Sequence, residues 1–309
     1  MTKYASLVCD KTRMLTSAFT CTGPYAVLIM LGIKRVENRS AMPESAKGRC
    51  AVGCSKSFCR EEYGNFIQWA SRALPPEDFD LIPSWSDVAD WPGRIVGACD
   101  YEADERGGGA WDEGYPYRWH LSNVTCFDAP LPCRGNVGMW QMPPALAAQV
   151  TAADSLARAV GEKVASKDEA LRLFSLAAPL AGKSEGFFVL PLDADRRVLA
   201  APILVSLGTE ATAVIQAKDI FTEALKAGAE KIIVAHNHPS GDLTPSKADV
   251  AATRELKDLA SRLGIEFLDH LIVGPANPAS DAGFVSLAEM GRRVGTDPAP
   301  FTLKYRPAE

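Results

Sequence analysis

His236-Asn237-His238 is followed by Pro239-Ser240-Gly241-Asp242 and then by Ser246 and Asp249, residue types that together can hold a metal ion and activate water. The run before them, Lys231 to Ala235, is short, apolar and β-branched, so it predicts a buried strand. Side chains two apart on a strand point the same way, and His236 and His238 therefore present both imidazoles to one side. Thr244-Pro245-Ser246 predicts a helix start, with Thr244 as N-cap, running to about Leu263, where Gly264 stops it. Ala252, Leu256, Leu259 and Leu263 make an apolar stripe at helical spacing, and Asp249 falls on it. A carboxylate buried alone is expensive, and a metal held by the histidines supplies its partner. Two imidazoles and one carboxylate leave a fourth tetrahedral position for water, the ligand count of a catalytic zinc. Ser246 lies on a neighbouring part of the same helix face, from which its hydroxyl can donate to an oxyanion. Taken singly, these are also an ordinary pair of core histidines, a helix-start serine and a solvated aspartate; all four at this spacing favour the metal.

The pattern His236-x-His238, seven residues, Ser246, two residues, Asp249 resembles the JAMM (MPN-type) metalloprotease motif. His236 to Asp242, with the later Asp269-His270-Leu271-Ile272-Val273-Gly274, resembles its RadC-like bacterial branch over about residues 166 to 292. The resemblance implies an α/β, cytidine-deaminase-like fold and zinc bound by His236, His238 and Asp249. It also implies a glutamate at the start of an upstream strand as general base. Glu185, opening Gly186 to Leu190, fits that place best; Glu210 and Glu223 are the alternatives, because the glutamate has no rigid local signature. The implied chemistry is hydrolysis of an amide or isopeptide-type bond, in which zinc brings the pKa of water towards about 7 and the glutamate takes its proton. His270 reads as a core histidine, with a supporting role behind the metal ligands as the lesser alternative.

The elements that position these groups occupy only the second part of the chain. At 309 residues the sequence suggests two domains. A formal net charge of −5 argues against wholesale nonspecific nucleic-acid binding but leaves room for a local basic site. Tyr25 to Leu31 is too short an apolar run to span a bilayer, and no targeting segment is evident, so the expectation is a cytoplasmic protein without membrane attachment. All eight cysteines, Cys9 to Cys133, lie in the first half and read as reduced thiols; Cys50, Cys54 and Cys59 do not have the spacing of a familiar zinc knuckle. Pro24 to Leu31, ending before Gly32, predicts a helix. Arg49 to Cys54, Arg94 to Ala98, Trp119 to Cys126 and Val137 to Gln141 predict strands, and together these suggest a small β-barrel.

Gly32-x-Lys34-x-x-Glu37-x-Arg39, Lys47-Gly48-Arg49, Gly93-Arg94-Ile95-Val96-Gly97 and Gly138-Met139-Trp140 resemble an ASCH domain of the PUA-like superfamily, over about residues 17 to 143. Such domains are similar to RNA- or modified-base-binding barrels, and some are amidohydrolases of acylated cytidine. Those hydrolases carry a threonine after the motif lysine where Glu37 stands here, so only a pocket role is carried over, to Lys34, Glu37 and Arg39, expected at a pocket mouth. From Lys34 to Arg60 seven basic residues stand against two acidic ones, a patch that can neutralise phosphates. The tryptophans include candidates for base stacking, though most are expected in the core.

The expected architecture is an α+β two-domain chain, with an ASCH-like PUA-type β-barrel at 1–144, a helical linker at 145–165, a RadC-like JAMM/MPN domain at 166–293 and a tail at 294–309. Three functions stay open: a zinc hydrolase whose barrel selects RNA, DNA, a nucleotide or a modified base; a nucleic-acid-binding, DNA-repair-associated accessory protein without hydrolysis; and an isopeptidase for protein or peptide conjugates.

Overall fold

The structure, a computed structural model, describes residues 14–105, 115–136, 138–208, 217–274 and 283–288. Trp111, Val137, Glu210 and the tail beyond Arg293 lie outside these residues. The chain divides into two compact units between Ala159 and Val160.

In the first unit β1 (Ser17–Cys21), β2 (Val36–Arg39), β3 (Lys47–Cys54), β4 (Arg94–Asp104), β5 (Tyr117–Pro132) and β6 (Met139–Gln141) form a six-stranded sheet in the order β2-β5-β4-β3-β1-β6. Strands β1 and β3 are parallel, which requires a crossover, and α1 (Gly23–Met30) lies in that connection. The helices α2 (Arg60–Ala73), α3 (Pro76–Phe79) and α4 (Trp85–Val88) follow β3, and α5 (Pro144–Arg158) follows β6. Strand side chains alternate between two cores. Cys50, Val52 and Cys54 pack with Ala26 to Ile29 of α1 and with Tyr63, Phe66 and Ala70 of α2. Ala51 points the other way and packs with Ala18, Ile95 and the α5 residues Ala147 and Val150. Among the described residues the end strands β2 and β6 do not pair with each other, so the strands read as a barrel are seen as a sheet.

The helix expected as a linker is placed differently. Helix α5 covers one face of the first sheet because its apolar stripe has a core to join and its one buried charge has a partner. Asp154 is fully buried and receives Arg49 Nε at 2.8 Å, Arg49 Nη2 at 2.6 Å and the Thr125 hydroxyl at 2.6 Å.

The second unit is built on β7 (Glu185–Leu192), β8 (Ile203–Gly208), β9 (Lys231–Asn237), β10 (Glu266–Val273) and β11 (Phe284–Ser286), in the order β11-β10-β9-β7-β8. Its helices are α6 (Lys167–Ala177), α7 (Ala217–Lys226) and α8 (Lys247–Arg262). Strands β9 and β10 are parallel, and α8 is their crossover. Strand β7 runs antiparallel to β9 with Phe187 opposite His236. Ile232 and Val234 of β9 face Leu256 and Ala260 of α8 and Ile220 and Phe221 of α7. His236 continues that line by strand alternation, so it looks towards the start of α8. No helix among the described residues is long and apolar enough to cross a membrane.

Helix α8 starts two residues later than Thr244 suggests. Ser246 is its N-cap, in a reciprocal box: Ser246 Oγ accepts from Asp249 N at 3.1 Å and Asp249 Oδ2 accepts from Ser246 N at 2.7 Å. Thr244 instead donates its backbone N–H to Asp242 Oδ1 at 2.9 Å, inside the turn. The helix ends at Leu263, and Gly264 takes the left-handed conformation with φ of 73°.

Candidate metal centre

Four side chains from three elements converge at the end of β9. His236 Nε2 and His238 Nε2 are 2.9 Å apart. Asp249 Oδ1, from the first turn of α8, lies 3.4 Å from His236 Nε2. Glu185 Oε1, from the first residue of β7, lies 3.7 Å from His236 Nε2 and 3.9 Å from His238 Nε2. The capping box holds one oxygen of Asp249 on the helix backbone, which turns the other towards the histidines. Glu223 is not brought to this place; it pairs with Lys226 on α7 at 2.7 Å.

The hydrogen-bond chain behind the histidines fixes their tautomers. The Thr253 hydroxyl donates its single proton to Asp249 O at 2.6 Å, so its oxygen can only accept from His270 Nδ1, also at 2.6 Å. His270 Nε2 is then a lone pair, and it accepts from His236 Nδ1–H at 2.8 Å. His238 Nδ1–H donates to the Asp242 carbonyl. In the neutral rings the Nε2 atoms are then the free acceptors, and they face each other beside two carboxylates. Such a group of acceptors needs a cation, and two imidazoles with a carboxylate are the donor set of a catalytic zinc. Each ring has its far nitrogen engaged, as metal-binding histidines usually do. Among the described residues the side chains whose ligand atoms all lie within 4.8 Å of one another are Glu185, His236 and His238; with Asp249 beside His236, the donors are of the kind that zinc takes.

The electrostatics agree with neutral His236 and His270 rings. Burial, opposed by Asp249 and helped by His238, pulls the pKa of His236 down to about 4. Burial, with His236 and His238 nearby, holds His270 well below the ordinary histidine value. Burial raises Glu185 above the usual carboxylate value; His238 opposes this shift and Asp249 adds to it. A carboxylate raised towards neutrality is better matched to general-base work.

His270 is where a reading from the sequence alone falls short: it is fully buried, as a core residue would be, yet it bonds directly to His236. Thr253, one turn beyond Asp249, completes the chain and was not singled out. Its spacing of four residues from Asp249 on a helix is the signal that could have found it.

In the first unit Lys34, Glu37 and Arg39 meet, with Lys34 buried away from the cavity that Glu37 and Arg39 border. Lys34 is 1% exposed; its Nζ donates to Val36 O at 2.6 Å, lies 3.2 Å from Glu37 Oε2 and sits 4.5 Å above the Tyr25 ring. The chain buries Lys34 because α1 and β2 close over it with a carboxylate, a carbonyl and a π-face in reach. Glu37 Oε1 takes Arg39 Nη2 at 2.9 Å, and the Arg39 guanidinium lies over Phe19 and Trp119 at 5.0 and 5.6 Å. Glu37 and Arg39, without Lys34, line a cavity of about 1240 Å³ that Lys47, Arg49, Lys56 and Arg134 also border. Part of the basic patch is thus used internally, since Lys34 and Arg39 serve Glu37 while Arg49 serves Asp100 and Asp154. Trp91, Trp119 and Trp140 are core residues. Cys50 and Cys54 are also buried in the core, whereas Cys59 is exposed.

Ser246→Ala should remove both the cap and the hydroxyl. The expected stability loss is about 0.5–2 kcal/mol, read by denaturant unfolding. The expected rate loss is larger, on the order of 2–4 kcal/mol, if the hydroxyl supports an oxyanion. A stability loss with an unchanged rate would leave Ser246 as a cap alone.

Residues 164–292 match the family model described as the RadC-like JAB domain. The chain is also similar to proteins named UPF0758. The one from Pelobacter propionicus is 38% identical over 109 residues, covering 35% of this chain and 44% of the relative. That from Cyanothece sp. is 37% identical over 140 residues, covering 43% and 57%, and that from Trichormus variabilis is 44% identical over 96 residues, covering 31% and 39%. The chain spans about half the length of these curated relatives.

Proposed function

We propose that the second unit is a zinc-dependent hydrolase of an amide or isopeptide-type bond, and that the first is an ASCH-like module selecting a nucleic acid, nucleotide or modified base. The observation that supports the hydrolase reading is the convergence of His236 Nε2 and His238 Nε2 with carboxylate oxygens of Asp249 and Glu185. The match to the RadC-like JAB family supports it, since JAB/MPN domains are often metal-dependent hydrolases. His236, His238 and Asp249 would hold the zinc, which when bound lowers the pKa of water and polarises a carbonyl. Glu185 Oε1 takes the proton of the attacking water and returns it to the leaving nitrogen, so that amide and water become acid and amine. The Ser246 hydroxyl keeps a proton for the carbonyl oxygen, because its cap uses only the oxygen as acceptor. Burial of His236 and His270 keeps those two rings neutral. The ligand-selecting role rests on the cavity beside Glu37 and Arg39 with its basic border.

The test is a screen of zinc-loaded full-length protein against peptide and isopeptide conjugates, acylated nucleosides and oligonucleotides. Turnover should vanish in Glu185→Gln, which keeps fold and zinc but cannot take a proton. Full activity in that variant would move the base elsewhere. Binding of oligonucleotides without turnover of any amide would favour the accessory-protein reading.

A further inference from the structure

We propose that Asn237, between the two metal histidines, is a positioning residue that sets the direction of the Glu185 carboxylate; this rests on the hydrolase reading in which Glu185 is the base. The ladder between β7 and β9 runs only as far as Phe187 opposite His236. Beyond that pair the backbone of β9 is committed to β10, because His238 N donates to Val273 O at 2.9 Å. The Asn237 side chain fills the break. Its Oδ1 accepts from Gly186 N at 2.8 Å and its Nδ2 donates to Ser184 O at 3.2 Å.

Those are the donor and acceptor that one peptide group of a neighbouring strand would offer. The partners, one N–H and one C=O, also decide which end of the amide is oxygen. Both bonds fall on the residues that flank Glu185. On its other side Glu185 is in register with Gly208 of β8. The backbone at Glu185 is therefore fixed from two directions, and its carboxylate is aimed at the histidine Nε2 atoms. The fit leaves little slack, since a Cβ at Gly186 would come within 2.6 Å of Ala181 Cβ. Asn237 itself is 8% exposed, so water is a poor substitute for its amide.

Visible spectroscopy of the cobalt(II)-loaded full chain tests this without a known substrate. The titration runs from about pH 5 to about pH 9, bracketing the range in which a metal ionises water. Glu185→Gln removes the carboxylate charge and with it the group that can take a proton, and should shift the midpoint of the spectral change. Asn237→Ala should shift it in the same direction by at least about half as much, as expected of a group that orients its neighbour, with cobalt bound as in the parent protein. Asn237→Asp keeps the acceptor for Gly186 N and loses the donor to Ser184 O. It should shift the midpoint less than alanine does, and it answers the same question if the alanine variant does not fold. Parent midpoints in the Asn237 variants beside a shifted Glu185→Gln would overturn the positioning role and leave the base assignment standing. A parent midpoint in Glu185→Gln as well would remove the base assignment, and the positioning role with it.

Discussion

Replacing Asp249 with alanine is expected to empty the metal centre and fray the start of α8 in one step. The carboxylate faces His236 with one oxygen and caps Ser246 N with the other, so alanine removes a ligand and half of a capping box together. Metal affinity should fall by more than about 100-fold, since even residues behind the ligands are worth 10–100-fold. Stability should fall by about 1 kcal/mol from the lost cap. Asp249→Asn separates the two effects, because its amide oxygen can still accept from Ser246 N while its charge is gone. Elemental analysis after dialysis, beside denaturant unfolding, reads both. Bound zinc should drop from about one per chain to background in both variants and in His238→Ala, with the helix start preserved in the asparagine variant. Zinc content equal to the parent protein in all three would sink the ligand assignment.

Lys34→Ala should unfold the first unit far more readily than a surface lysine would. Removing one partner of a buried ion pair costs about 3–5 kcal/mol, because the remaining charge is left in a poor solvent. Glu37 would keep Arg39 but lose the ammonium beneath it. Lys34→Met combined with Glu37→Gln should recover part of the loss, since neutral groups of similar shape need no counter-charge. Denaturant unfolding followed by tryptophan fluorescence reads the first unit, as Trp119 lies in the same core, 5.7 Å from Phe19. Its transition is to be fitted separately from that of the second unit. An unchanged first transition in Lys34→Ala would refute the structural role and return Lys34 to the cavity wall.

The convergence of His236, His238 and Asp249 was legible because its geometry is local. His236 and His238 share a face by strand alternation, and Asp249 follows within one turn of the next helix. The helix start was less legible, since Thr244 and Ser246 are both good caps and only the reciprocal bond from Asp249 decides between them. His270 reaches the site from β10, and a buried histidine on a strand looks the same in sequence whether it packs or supports a ligand. Lys34 shows the opposite failure: a lysine after a helix cap is expected at a pocket mouth, and its burial depends on Glu37, Tyr25 and Val36 closing around it. The same holds for α5, whose alanine-rich stripe gives no hint of the sheet it covers until Asp154 meets Arg49.

That last contact bears on how the chain is made. Arg49 emerges from the ribosome long before Asp154, its partner in the finished fold. Until the helix Pro144–Arg158 has been synthesised, the strand residues Ala18, Ala51 and Ile95 have one face without cover. The first unit therefore cannot complete folding from a nascent chain that stops at the end of its last strand. A piece cut before Pro144 would expose that face and leave the guanidinium short of its deepest counter-charge.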